Sequence, residues 1–195
     1  MIPNVRKTEN FTQKQHMFHA FMLSLALVYV VMMLCLLFLE RAFNEASILC
    51  YREENVSYLN AVQSHISLTP LGTTKVFAKE ILRNGTDFWA LLTGFSEAGV
   101  AFYNLFGNVV LFMPIGIFIP YFFPRYENFF RFAPLMLAIT FSIESVQLLT
   151  LTGRFDIDDI ILNLIGGCMG CILFLIIQGI ISLFNKNNMV EQSEF

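Results

Sequence analysis

Charged side chains are scarce in this chain of 195 residues, only 14% of which are Asp, Glu, Lys or Arg. The 12 basic and 15 acidic residues give a net charge of −3, and the basic ones do not form a patch. Proteins that bind nucleic acid usually carry such a patch to neutralise phosphates. The composition therefore argues against a nucleic-acid partner.

Cysteine is scarce as well. The four cysteines, Cys35, Cys50, Cys168 and Cys171, are scattered among apolar runs, which is not the pattern of a secreted domain held by disulfides. Cys168 and Cys171 have the spacing of a redox or metal-binding pair. However, they lie in a glycine-rich apolar stretch without a second pair, which favours small residues at a helix contact.

Apolar residues are abundant: 56% of the chain is hydrophobic, and the mean hydropathy is +0.62. This is more apolar surface than one small soluble core can bury. Four runs are long enough to cross the hydrocarbon of a bilayer as helices, at about residues 17–39, 102–123, 129–151 and 157–184. We therefore predict an all-α integral membrane protein in a lipid bilayer, with residues 1–195 forming a single membrane domain.

The connection between the first and second apolar runs is too long to be a simple turn. Within it, residues 75–83 follow a cap candidate at Thr73 and Thr74. At helical spacing, Phe77 and Ile81 share one face of this stretch while its basic residues lie elsewhere, as in a helix on a membrane surface. We expect an interfacial outer segment between transmembrane helices 1 and 2.

The distribution of Lys and Arg predicts the orientation, because short cytoplasmic loops and tails are enriched in these residues. The two tails and the loop between the second and third runs carry Arg6, Lys7, Lys14, Arg125, Arg131 and Lys186, whereas the loop between the third and fourth runs has only Arg154. Both termini are therefore predicted to be cytoplasmic, and the opposite helix ends to face outward.

Polar side chains gather at those outward helix ends. They are Asn104 and Asn108 in the second helix, Glu144 and Gln147 in the third, Arg154 in the loop, and Asp156, Asp158, Asp159 and Asn163 at the start of the fourth. An ionised side chain inside a bilayer costs about 2.5–3.5 kcal/mol, so these nine residues are our predicted ligand-binding set. The alternative is structural: the aspartates cap the fourth helix and Arg154 pairs with a carboxylate, which locks the bundle.

Glycines follow the polar residues in the fourth helix. Asn163, Gly166, Gly167 and Gly170 form a stripe of small residues that would let another helix approach closely. Gly153, in the short connection before this helix, is predicted to end the third helix.

Glu144 and Asp159 are the candidates for catalysis, because two carboxylates in different surroundings can divide the roles of acid and base. Ser142 and Ser145 flank Glu144 without a neighbouring His, and no phosphate-binding glycine loop is present, so no nucleophile is evident. The carboxylates could also hold Ca²⁺ or Mg²⁺, although no metal site with defined ligands is predicted. Whether the protein is an enzyme, and which cofactor it uses, stays open.

At these residues the sequence resembles the VanZ-like family of bacterial membrane proteins. The resemblance covers about residues 67–184, with a weaker match at residues 67–72 that includes Pro70. It rests on Asn104-Leu-Phe-Gly-Asn108, Phe112-Met-Pro114-Ile-Gly116, Glu144-x-x-Gln147, Arg154-x-Asp156-x-Asp158-Asp159 and Asn163-x-x-Gly166-Gly167-x-x-Gly170. It implies a multi-pass protein of the bacterial cytoplasmic membrane. The founding member of the family confers low-level resistance to teicoplanin.

Three functions are compatible with these features. In the first, the outer polar residues bind or modify an envelope lipid or cell-wall precursor, which lowers susceptibility to glycopeptides such as teicoplanin. In the second, the protein is an intramembrane lipid-modifying enzyme without an antibiotic role. In the third, it is a non-catalytic partner of cell-wall assembly, which it contacts through the glycine stripe and the surface helix.

Overall fold

The computed structural model describes residues 3–39, 57–72, 74, 75, 78, 79, 82 and 97–191. The chain divides into two compact units, Met1–Glu45 and Ala46–Phe195. The first unit contains α1, Pro3–Leu34, which continues into a π-helical turn at Cys35–Leu39. Two polar side chains in its apolar part bond within the helix, as suits a span in lipid: Ser24 Oγ donates to the Ala20 carbonyl oxygen at 2.9 Å, and the Tyr29 hydroxyl to Met33 Sδ at 3.4 Å.

Among its described residues, the second unit includes several α-helices, a 3-10 turn at Pro124–Tyr126 and two very short strands. In chain order these include α2 Tyr58–Ser64, β1 Ile66–Ser67, α3 Glu97–Phe122, α4 Phe129–Leu149, β2 Phe155–Asp156 and α5 Ile157–Glu191. The strands pair in parallel, with Ile66 opposite Phe155 and Ser67 opposite Asp156. The sequence did not predict this small sheet, although the fold is otherwise helical as expected.

Among the described residues, four stretches are long and apolar enough to span a membrane: Gln13–Leu39, Asn104–Phe122, Phe129–Leu149 and Ile157–Phe184. They agree in number and position with the four predicted spans, which confirms an all-α membrane protein. Of the predicted surface helix at 75–83, residues 75, 78, 79 and 82 are helical, and the other positions lie outside the described residues.

Side-chain caps begin α4 and α5. The Asn128 side chain accepts a hydrogen bond from the Phe130 amide at 2.9 Å, and Asp156 Oδ1 accepts one from the Asp158 amide at 2.9 Å. Each satisfies an amide that has no partner inside the helix. Asp156 therefore has the capping role that the structural alternative assigned to the aspartates.

The end of α4 corrects a prediction. The residue in the left-handed conformation is Leu151, with φ 54°, and the helix ends before Gly153 is reached. The Thr152 amide donates to the Gln147 carbonyl oxygen at 3.1 Å, and the Leu151 amide to that of Leu148 at 3.1 Å. These two bonds close a Schellman motif, which satisfies the last carbonyls of the helix.

The glycine stripe of α5 is used inside the molecule. A Cβ at Gly166 would overlap the carbonyl oxygen of Val109 in α3, and one at Gly170 would overlap that of Met113. A Cβ at Gly167 would lie 2.6 Å from Met136 Sδ in α4. The stripe thus brings α5 against both α3 and α4, as its composition predicted. It is therefore not available as the docking surface for a partner protein.

A segment from the long connection, residues 57–72, docks on the end of the bundle where α4 ends and α5 begins. The Tyr58 hydroxyl donates to the Leu149 carbonyl oxygen at 2.7 Å, and the Phe155 amide donates to that of His65 at 2.9 Å. Leu71, with φ 62°, donates its amide to Asp158 Oδ1 at 2.5 Å. We call residues 57–72 the docking segment.

Candidate functional site

The start of α3, the end of α4 and the start of α5 meet at one end of the second unit. Asn108 in α3 donates from Nδ2 to Asp159 Oδ1 in α5 at 2.7 Å. Glu144 in α4 accepts from the Asp156 amide through Oε2 at 3.4 Å. These contacts bring together polar groups from three helices that are widely separated in sequence. We call Asn108, Glu144, Gln147, Asp156, Asp158, Asp159 and Asn163 the polar cluster.

Helix α4 places its part of the cluster by its periodicity. Its buried residues are Phe132, Met136, Thr140, Glu144 and Gln147, which recur every three or four positions and so form one face. The face is apolar at the start of the helix and polar at its end. Glu144 is only 2% exposed and Gln147 1%, so both lie inside the protein at the polar end.

The pairing of α4 with α5 fixes the level of Asn163. Gly167 lies against Met136 at one level, and Asp156 meets Glu144 nearer the end. Because the two helices are antiparallel, one helical turn from the first contact toward the polar end puts Asn163 at the level of Thr140. Asn163 therefore lies one helical turn farther from the polar end than Asp159, at a level adjacent to that of Glu144.

The side-chain oxygen of Asn163 has no hydrogen-bond partner, although the residue is only 2% exposed. Thr140, at the same level, donates its hydroxyl to the Leu137 carbonyl oxygen of its own helix at 3.0 Å. Leaving a buried acceptor unsatisfied costs about 1–3 kcal/mol. A buried acceptor of this kind calls for a donor from outside the described protein atoms.

Asp158 has a different environment. It is buried at 4% exposure, and its Oδ1 accepts from the Leu71 amide. Its place in the structure is to anchor the docking segment to the start of α5. The sequence placed Asp158 in the candidate set but did not identify the segment that it holds. The weak family match at residues 67–72 was the signal that could have pointed to this segment.

Two predicted residues stay outside this arrangement. Arg154 is exposed, and in the part of the chain that the structure describes it forms no ion pair. Asn104 is also exposed and has no hydrogen bond to the polar cluster. Arg154 adjoins β2 and so lies at the edge of the cluster, where it can reach an outer group of a ligand. The pairing of Arg154 with a carboxylate that the structural alternative expected is absent among the described residues.

Acidic and basic side chains differ in how far they are buried. All the Lys and Arg residues whose side chains are described are exposed, whereas Glu144 and Asp158 are buried and Asp156 and Asp159 are half-buried. Among the described residues, no group of three His, Cys, Asp or Glu side chains is arranged to hold a metal ion. The described side chains of the cluster thus offer mainly oxygen acceptors, with amide donors from Asn108, Gln147 and Asn163.

The sequence analysis missed Thr140, which is fully buried and continues the polar face of α4 one turn below Glu144. Its spacing of four residues from Glu144 was the signal that could have identified it. Thr140 is bonded within its own helix, so it adds shape to the cluster without offering a free donor.

These features define an integral membrane protein in which three helices enclose a polar cluster at one end. A family model described as VanZ/LLP1 matches residues 25–178, which is most of the chain and includes the first span as well as the cluster. The protein belongs to this VanZ family. No curated protein and no solved structure matches the chain.

Proposed function

We propose that the polar cluster binds the head group of an envelope lipid or of a lipid-linked cell-wall precursor, and that this binding lowers susceptibility to glycopeptides such as teicoplanin. The observation that carries the binding proposal is the orphan acceptor of Asn163, buried one turn below Asp159. The glycopeptide role is supported by family membership.

A purely structural role accounts for only part of the cluster. Asp156 caps α5, Asp158 anchors the docking segment, and Asn108 ties α3 to Asp159. Asn163 takes part in none of these contacts, and its buried side-chain oxygen has no partner among the described residues. Replacing a buried polar group by an apolar one of similar shape is often neutral or stabilising, so the presence of Asn163 favours a function.

The orientation is part of the proposal. Arg125 and Arg131 are exposed at the connection between α3 and α4, the end of the bundle opposite the polar cluster. Positively charged short loops favour the cytoplasmic side. The polar cluster would then face the outside of a bacterial cytoplasmic membrane with both termini in the cytoplasm, which is where cell-wall precursors are used.

Access to the cluster requires a local movement, because Glu144 and Asn163 are buried. We propose that the docking segment moves. Its described links to the bundle include the hydrogen bonds of Tyr58, Leu71 and Phe155, and among residues 57–72 only Ala61 is buried. Elements with few buried apolar contacts open at low free-energy cost.

The test is a susceptibility assay in a sensitive bacterial strain that expresses the protein or its variants. Glu144→Gln and Asn163→Leu change the cluster with little change in shape. Ser142→Ala and Ser145→Ala are matched controls, because both hydroxyls bond their own helix in the described structure. With equal amounts of protein in the membrane, we expect the two cluster variants to lose protection against teicoplanin and the controls to keep it. Protection by all four variants would reject the proposal.

A second candidate function is an intramembrane enzyme that acts on lipid-linked substrates. It is favoured by the different surroundings of Glu144, which is buried, and Asp159, which is half-buried and bonded to Asn108. Such a pair can divide acid and base roles. Incubation of the purified protein with labelled envelope lipids separates the two functions, because an enzyme converts them with turnover and a binding protein returns them unchanged.

A further inference from the structure

The hydrogen-bonding character of the polar cluster restricts the ligand that it can accept. Carboxylates accept hydrogen bonds and do not donate them when ionised, and the orphan group of Asn163 is also an acceptor. One of the two N–H groups of Asn108 Nδ2 bonds Asp159. A phosphate that entered between Asp159 and Asn163 Oδ1 would bring negative charge against the Asp159 carboxylate, and the neutral amides of the cluster supply no positive charge to offset this repulsion.

We infer that the group which enters the cluster is the ammonium of an amine-bearing envelope lipid, a conclusion that rests on the proposed head-group binding. An ammonium has three donors and no acceptor. One donor satisfies Asn163 Oδ1, and the others face the carboxylates of Asp159 and Glu144, one helical turn away. The positive charge adds a Coulomb attraction to these carboxylates that a neutral hydroxyl lacks.

The position of Arg154 fits the same orientation of the ligand. Its exposed guanidinium lies at the edge of the cluster next to β2, outside the buried acceptors. Guanidinium groups bind phosphates through two parallel hydrogen bonds. A lipid with a phosphate one short linker from its ammonium would then place the ammonium inside and the phosphate at Arg154.

Three lipids with identical acyl chains separate donor chemistry from charge. Phosphatidylethanolamine has an ammonium with donors, phosphatidylcholine has the same charge without N–H groups, and phosphatidylglycerol has hydroxyl donors without a positive charge. The full-length protein, purified in detergent, is mixed with equal amounts of the three, and bound lipid is counted by native mass spectrometry. We expect phosphatidylethanolamine to be preferred by about tenfold over each of the others, as one charge-assisted hydrogen bond would give.

Variants assign the preference to the cluster. Asn163→Leu should reduce it to nearly equal binding of the three lipids, and Asp159→Asn should reduce it in part. Ser142→Ala should leave it unchanged, because this exposed hydroxyl bonds the Ala138 carbonyl oxygen of its own helix.

The outcomes distinguish the two levels of the proposal. Equal binding of phosphatidylethanolamine and phosphatidylcholine by the wild-type protein, or a preference for phosphatidylglycerol, overturns the ammonium inference and leaves head-group binding intact. Failure to retain any of the three phospholipids overturns the ammonium inference, and failure to retain a lipid-linked cell-wall precursor as well overturns head-group binding. An unchanged preference in folded Asn163→Leu also rejects the site, and the wild-type comparison is decisive even if that variant does not fold.

Discussion

Asn108 and Asp159, 51 residues apart in sequence, are joined by a hydrogen bond of 2.7 Å between Nδ2 and Oδ1. The bond connects α3 to the first turn of α5 at the polar end of the bundle. Below it, glycines let the same two helices approach so closely that a Cβ at Gly170 would overlap the backbone of Met113. One polar contact at the end and one close contact in the apolar part thus hold the pair in a single register.

The first prediction concerns this bond. Asn108→Leu, Asp159→Leu and the double variant form a thermodynamic cycle for unfolding in detergent. We expect a coupling free energy of about 0.6–1.7 kcal/mol, the range measured for hydrogen bonds between membrane helices, and nearer its upper end because the acceptor is a carboxylate. Additive effects of the two substitutions would show that the side chains do not interact.

The second prediction concerns the close helix contact. Gly116→Ala and Gly170→Ala each place a methyl group against the backbone of the neighbouring helix, and each should destabilise the protein by about 1–3 kcal/mol. Gly107 and Gly179 have no atom within 4 Å of an added Cβ. Their Ala variants are matched controls and should be neutral or more stable by up to about 1 kcal/mol, since Ala favours helix. Melting temperatures in detergent compare all four, and equal effects would refute the packing.

The third prediction concerns the end of α4. Leu151 adopts φ 54°, a conformation that costs a side chain with a Cβ about 1–2 kcal/mol and glycine little. Glycine also makes the unfolded chain more flexible, which offsets part of this gain. Leu151→Gly should therefore raise the free energy of unfolding by a net amount of about 0.5–1 kcal/mol. Leu149→Gly, in the last helical turn, is the control and should lower it. Destabilisation by both variants would contradict the left-handed cap.

The fourth prediction separates stability from binding at Asn163. In lipid-free detergent, Asn163→Leu removes an unsatisfied buried acceptor and should stabilise the protein by about 1–3 kcal/mol. The same variant should lose the additional stabilisation that phosphatidylethanolamine gives the wild-type protein. Thermal unfolding with and without the lipid measures both effects. A destabilised Asn163→Leu in the absence of lipid would mean that the amide already has a partner.

The sequence predicted the spans and the convergence of polar residues well, because both follow from local properties. Apolar runs define the helices, and a short connection between Leu149 and Ile157 forces α4 and α5 to be antiparallel. Once the helix ends are ordered, Asn108, Glu144 and Asp159 must lie at similar depth. The glycine stripe likewise encodes a close contact in its composition, although not which helix fills it.

Other features depend on contacts that no local pattern encodes. Docking of residues 57–72 uses two-residue strands and the backbone amide of Leu71, and these leave almost no trace in side-chain periodicity. The sequence predicted that α4 ends at Gly153, because glycine is the residue preferred in a left-handed cap. In the structure the left-handed residue is Leu151, because the hydrogen bonds to the carbonyl oxygens of Gln147 and Leu148 fix the end of the helix there. The exposure of Arg154, without an ion pair to any described carboxylate, could not be foreseen, since charge alone favours pairing it with a nearby carboxylate.

The central claim is that an external donor completes the buried polar cluster, and a density map of the full-length protein in a bilayer containing phosphatidylethanolamine tests it most directly. We predict density for a non-protein group at about 3 Å from Asn163 Oδ1, continuous with a lipid that extends past Asp159 toward Arg154. A map in which Asn163 Oδ1 is bonded to another side chain of the protein, with no lipid at the cluster, would contradict the claim.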